Sequence, residues 1–264
     1  MKKYFLLFIS VVTVLTIQAQ NKPSASKTNI DTAKQLVHVP SVMAPKKDWS
    51  KVDFSKRAND HLMIQIGADD WLNHPGWMNI KSGRHFNFYL MMDKPFKSNP
   101  HYSSSYGIGI TCNNIFFNNQ TLDISNASPD TVTYINTANS NHFSKFKLTT
   151  MYLTLPVEIR YFSNPVNPNK SWKLAAGAKV GLLINSYTKG KDLLDNTGAS
   201  IYGTSYTKKE YDSKFFNSYL FSLTARAGWG NFSLNADYHL TNVYKDGFGT
   251  AVHPFSIGLT ISGL

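Results

Sequence analysis

Six ionisable side chains interrupt stretches that otherwise avoid charge: Glu158, Arg160, Lys179, Arg226, Asp237 and His239. Glu158 and Arg160 stand two positions apart, as do Asp237 and His239, and in an extended chain that spacing puts both members on one face. Their immediate neighbours are apolar: Val157 and Ile159, Ala178 and Val180, Ala225 and Ala227. Opposite charges sharing the inside of a narrow enclosure neutralise one another, because an unpaired buried charge is costly. The expected chemistry is a charge network that plugs an interior. An open pore is the sharper alternative.

Catalysis would need a nucleophile or base with an orienting partner. Some small membrane barrels act on lipid through Ser and His, and His85, His239 and His253 invite that test, but no Ser or acid partner is legible from spacing. His61, His101 and His142 read as strand-end or loop residues. The chain has no Gly-x-Ser-x-Gly elbow, no His-Glu-x-x-His, no phosphate loop and no clustered Cys/His set. Its one cysteine, Cys112, can form no internal disulfide and reads as a small strand hydrophobe. The reading is of a non-enzymatic protein with no catalytic residue, no metal ligand set and no cofactor.

The elements that carry these charges are strands. Beyond residue 60 the apolar period is two. Leu62, Ile64, Ile66 and Ala68 alternate with Met63, Gln65, Gly67 and Asp69; the same pattern recurs around Phe86 to Met92, Tyr106 to Cys112, Leu153 to Tyr161, Trp172 to Leu182, Tyr219 to Trp229, Phe232 to Leu240 and Phe255 to Ile261. That predicts eight strands, most able to supply the ~9 to 11 residues needed to cross a bilayer. The apolar set is bulky in every strand. The opposite set is Gly, Ala, Ser, Thr and Asn with the isolated charges, which suits the interior of an eight-stranded barrel, where side chains alone fill the space. The bulky set is therefore expected against lipid, giving an all-β, eight-stranded antiparallel up-and-down transmembrane β-barrel.

The connections alternate in length. Long ones are expected at 72–84, 118–148, 186–214 and 242–253, short ones at 95–101, 163–171 and 230–231. Long loops outside and short periplasmic turns are the habit of outer-membrane barrels. The two middle loops, rich in Asn, Ser and Thr, read as solvated external loops. Trp71, Trp77, Tyr152, Tyr161, Trp172 and Trp229 are candidates for interfacial girdles. The short turn at 230–231 sets Arg226 opposite Asn235 and diagonal to Asp237.

The first twenty residues read as an export signal: Lys2 and Lys3, an apolar run over 5–17, then Gln18-Ala19-Gln20. Residues 21–59 read as a polar, basic, weakly ordered periplasmic tail broken by Pro23, Pro40 and Pro45, with a short helix possible over 32–37. Residues 60–264 form the barrel. The net charge of +11 falls to +9 without Lys2 and Lys3, and the cations are scattered rather than clustered. Nucleic acid is not the expected partner; an anionic lipid surface is the charged partner that dispersed cations suit. Only 16% of residues are charged, below the ~25% of soluble domains, as a lipid-facing surface requires.

The stretch Asp60-His61-Leu62-Met63-Ile64-Gln65-Ile66-Gly67, the strand Tyr152-Leu153-Thr154-Leu155-Pro156-Val157-Glu158-Ile159-Arg160-Tyr161 and the closing Phe255-Ser256-Ile257-Gly258-Leu259-Thr260-Ile261 resemble the PorT-like outer-membrane β-barrel domain proteins. The resemblance spans about residues 60–264. It implies a small barrel in the outer membrane, and, since one branch of that family serves the type IX protein-secretion apparatus, it offers secretion as an alternative role. The last strand resembles a barrel-assembly signal through Ser256, Gly258 and Ile261 but ends in Gly263-Leu264 rather than an aromatic. The expected partners are outer-membrane lipid and lipopolysaccharide, with other envelope or secretion proteins under the alternative role, and the expected state is a monomer. A different class, an exported soluble barrel binding an apolar ligand, requires the bulky face inside.

Overall fold

A computed structural model describes residues 61–125 and 131–263. The export signal over 1–20, the tail over 21–59 and the helix at 32–37 lie outside the described residues. The strands are β1 (Leu62–Leu72), β2 (Ile80–Pro95), β3 (Tyr102–Phe117), β4 (Gln120–Asp123), β5 (Thr133–Asn136), β6 (His142–Phe162), β7 (Trp172–Leu194), β8 (Thr207–Tyr211), β9 (Tyr219–Trp229), β10 (Phe232–His239) and β11 (His253–Ser262). Eight of them close a ring in the order β6-β3-β2-β1-β11-β10-β9-β7, with β7 returning to β6. Every adjacent pair is antiparallel. Closure removes the sheet edge, so every wall strand pairs with a neighbour on both sides, the condition for crossing lipid.

The faces fall as the alternation requires. Leu155, Ile159, Trp172, Leu223 and Leu234 are among the large apolar residues left exposed on the outside, Ile159 at 60%. Gln65, Asn87, Thr154, Glu158, Lys179, Asn235 and Thr260 are buried within. Two bulky inward residues have glycine directly opposite: Tyr89 faces Gly109 and Met91 faces Gly107. A Cβ at Gly109 would collide with the Tyr89 ring, so glycine there is a condition of filling the lumen. The bulky-face-inside soluble barrel is thereby overturned.

The wall is taller than the apolar alternation predicts. β6 has 21 residues and β7 has 23, on the order of 70 Å of chain at the usual strand rise. The expected solvated loops at 118–148 and 186–214 are instead largely folded: β6 and β7 run on beyond the apolar band, β4 and β5 form a hairpin, and β8 adds to β7. In these extensions the polarity of the two faces is reversed. Phe146 and Leu148 point inward while Lys145 and Lys147 point out, because polar surroundings rather than lipid hydrocarbon lie outside them. The inward apolar residues join Trp71, Ile115, Phe117, Leu122, Ile124, Phe215, Phe216 and Tyr244 in a core that caps the upper mouth.

That cap corrects two assignments. Trp71 and Tyr152 are buried, at 3% and 4% exposure, and belong to the inner face rather than a girdle. Residue type suggested the girdle, whereas strand parity places both inside. Trp77 is exposed on the cap, 5.2 Å from Tyr134. Trp172 and Trp229 do meet on the outside near the short turns, 5.4 Å apart, and the Tyr161 ring lies tilted 5.3 Å from that of Tyr102 at the same end.

Two outcomes follow for the wall and the cap. In a Cys112→Ala background, Leu155→Cys is expected to resist a membrane-impermeant thiol reagent in intact membranes, while Tyr202→Cys in the long connection after β7 reacts from outside; aqueous access at Leu155 would contradict the lipid-facing assignment. Tyr134 and Tyr244 share a 2.6 Å hydrogen bond in the cap, and burial pushes both phenols up. Their neutral form is the one the fold prefers, so the cap keeps its stability below about pH 10, the ordinary phenol range, and loses it as pH rises further. Phenolate absorbance and protease cleavage within 118–141 should rise together above that pH, less so in Tyr134→Phe/Tyr244→Phe.

Candidate functional site in the barrel lumen

The hydrogen-bonded register arranges the inner charges in layers. A single row of paired residues runs from Asp93 on β2 through Ser105, Glu158, Gly177, Thr224, Asp237 and Ser256 to Asp69 on β1, one from each wall strand. Asp69 then pairs with Gly83, so the row returns to β2 ten residues from where it began, at 83 against 93. This is the stagger that closing a tilted sheet demands. All four inward carboxylates of the wall, Asp69, Asp93, Glu158 and Asp237, lie on this row, and those of β6 and β10 are separated only by Gly177 and Thr224.

Cations occupy the rows on either side. The row toward the short turns carries Arg160, Ala175, Arg226, Asn235, Gly258, Gly67 and His85 in succession. The row toward the cap carries Lys179, paired with Ser222, which pairs with His239. Because Gly177 and Ala175 present little side chain, Arg226 reaches across β7 to Glu158: its Nη2 donates to Oε2 at 2.7 Å and its Nε to Oε1 at 3.1 Å. Arg160 Nε donates to the same Oε2 at 2.9 Å, and its Nη1 lies 3.8 Å from Asp93. Lys179 Nζ is 2.9 Å from Asp237 Oδ1, 3.0 Å from Gln65 Oε1 and 5.2 Å from the centre of the Tyr89 ring. Side chains in both pairs are nearly inaccessible to solvent, so their mutual attraction acts at low dielectric and must offset a large desolvation cost.

The six residues singled out from sequence thus come to one lumen, in a different pairing from the one the turn suggested. Arg226 does lie opposite Asn235, yet its carboxylate partner is Glu158, while Asp237 takes Lys179. His239 is buried beside them, and its carbonyl accepts from His253 at 3.1 Å. Sequence parity put Asp69, Gln65, Tyr89 and Asp93 on the inner face but gave none of them a role; Asp69 meets His85 Nδ1 at 2.6 Å. Inward parity next to Arg160 across β3 was the available signal for Asp93. His61, His101 and His142 hydrogen-bond to the backbone carbonyls of Met91, Phe162 and Ser140. Among the described residues no group of His, Cys, Asp and Glu is placed to hold a metal ion.

Removing one partner should strand the other in the lumen. Lys179→Met is expected to destabilise the barrel by about 3 to 5 kcal/mol, and Lys179→Met/Asp237→Leu to recover most of that loss, since it is the unpaired charge that is costly. Reversible urea unfolding in lipid vesicles measures both; equal loss in the single and double variants would contradict the pairing.

Neither the curated proteins nor the solved structures compared with this chain gave a match. A family model described as "Outer membrane protein beta-barrel domain" matches residues 78–243, from the cap ahead of β2 to the connection after β10 and including the greater part of the charged lumen. With a closed ring of eight strands, an apolar outer band and a polar interior, the chain belongs to the outer membrane protein beta-barrel domain family and is an integral barrel of the outer membrane.

Proposed function

We propose that this barrel is non-catalytic and closed, a monomeric membrane anchor whose folded outer cap serves a structural or interaction role. The observation that carries the reading is the paired charge network of Glu158, Arg160, Arg226, Lys179 and Asp237 spanning the lumen. The spaces next to it are small: one cavity of about 20 Å³ beneath the cap and one of about 10 Å³ near Arg160 and Lys173, each room for about one water. Export by the segment 1–20 and a periplasmic place for the tail 21–59 belong to the same proposal, with outer-membrane lipid and lipopolysaccharide as the surroundings and no cofactor. The test is conductance in planar bilayers. The closed reading expects no sustained unitary steps at neutral pH, and Glu158→Gln/Arg226→Gln is expected to raise leak; steady ohmic steps from the unaltered protein would overturn it.

Service in the type IX secretion apparatus is the second reading, favoured by the PorT-like character of the strand at 152–161. It expects defective secretion in a deletion strain and co-purification with other envelope proteins after mild extraction. Normal secretion with a clean monomer would reject it and leave the anchoring role standing.

A further inference from the structure

The outer face above the apolar band carries a ladder of lysines. Residues directly opposite one another run Lys81, Phe116, Lys147, Lys189 and Lys209 across β2, β3, β6, β7 and β8. One rung further up, Lys145 faces Lys191. These side chains share the outward face, and the lysines of β6 and β7 border a shallow depression of about 130 Å³ floored by Phe116. Three of the cross-strand pairs, Lys145 with Lys191 and Lys189 with both Lys147 and Lys209, set like charges opposite each other, an arrangement that destabilises a sheet unless something neutralises it. No ion pair among the described residues involves them. The nearby carboxylate of Glu210 instead holds Lys208 at 2.8 Å, and both belong to the opposite face of β8.

The ladder stands at a defined height. The rung below it is Arg84, Asn114, Thr149, Tyr187 and Tyr211, and the next is Phe86, Cys112, Met151 and Asn185, where the apolar band ends. Tyr187 and Tyr211 lie 5.2 Å apart, as interfacial aromatics do. Two rungs of a tilted strand rise about 10 Å along the membrane normal, which puts the lysines in the headgroup layer. The long connections are on this side, so the layer is that of the outer leaflet.

We propose that this lysine ladder is a binding site for a phosphorylated glycolipid of the outer leaflet, its acyl chains against the apolar band and its phosphates bridging the opposed ammonium groups. Two phosphates on one lipid neutralise cations that a sheet otherwise holds apart, and the lipid position supplies the ligand at the right height. The inference rests on the membrane orientation and not on whether the lumen is closed, so silence in planar bilayers neither supports nor removes it.

Native mass spectrometry of the full-length barrel in detergent, titrated with bisphosphorylated lipid A, reads the site. Lys147→Gln/Lys189→Gln/Lys209→Gln is expected to weaken retention at least about tenfold, since each cation near an anionic surface contributes roughly fivefold; the matching Lys→Arg variant keeps it. Lys97→Gln/Lys170→Gln, near the short turns, should leave it unchanged. Fully dephosphorylated lipid A should bind at least about tenfold more weakly, and inorganic phosphate should not displace the lipid. Equal binding of the dephosphorylated lipid, retention by the triple Gln variant, loss in the Arg variant or in Lys97→Gln/Lys170→Gln, or displacement by inorganic phosphate would each overturn the proposal.

Discussion

Backbone hydrogen bonding around a closed ring of eight strands is the condition that the rest of this molecule obeys. A bilayer offers no water to an unpaired amide, so β1 must meet β11 and β6 must meet β7. A ring that small leaves an interior only wide enough for side chains. Its contents must therefore be complementary strand by strand. Tyr89 and Met91 project over Gly109 and Gly107, and where no large apolar residue projects inward the space is taken by long charged side chains. Closure also fixes the stagger, and with it the winding row on which all four carboxylates stand between two rows of bases. The ion pairs are a consequence of how the sheet closes as much as of the residues themselves.

The second constraint is the change of solvent along each strand. Within the hydrocarbon the outside is lipid and the inside polar; above it the outside is polar and the inside is an apolar cap. β6 crosses this boundary with its faces unchanged in direction: Leu153 and Leu155 face out, as do Lys145 and Lys147, while Thr154 and Leu148 both face in. Only the meaning of "apolar" has switched. On β7 the crossing includes a bulge, since Tyr152 pairs with Leu183 but Met151 with Asn185, leaving Ile184 extra. A bulge adds one residue and inverts parity, so Lys179 points into the lumen while Lys189 and Lys191, of the same parity, point out.

These two facts explain what was legible in the sequence. The eight membrane-spanning segments, their outward face and the short turns could be read because lipid imposes a period of two with one bulky phase. The cap could not, because the same period continues in the opposite phase and resembles a polar loop when only apolar-outward runs are sought. The lysines of the ladder sit in that misread region, and their meeting depends on two bulges, on β2 between Lys81 and Arg84, where Ser82-Gly83 is the one local hint, and on β7 at Ile184, which no distinctive residue marks. Trp71 and Tyr152 show the converse: parity already placed them inside, and the general habit of aromatics at membrane surfaces was the weaker guide.

The lumen charges show where one-dimensional reading ends. A tight turn determines which residue lies directly opposite, and Arg226 is opposite Asn235 as the turn at 230–231 requires. A guanidinium on a long side chain is not bound by that register. It can turn to the strand on either side, and the choice is made by what the intervening strand presents. Toward β7, Arg226 meets Ala175 and Gly177, which leave an open path to Glu158. In the other direction Asp237 is already held by Lys179 at 2.9 Å. Each carboxylate thus has its own cations, and neither could be reassigned without leaving a charge unpaired in the lumen. The small residues of β7 carry no charge, yet they decide the pairing, and that makes Gly177 as much a part of the site as Glu158.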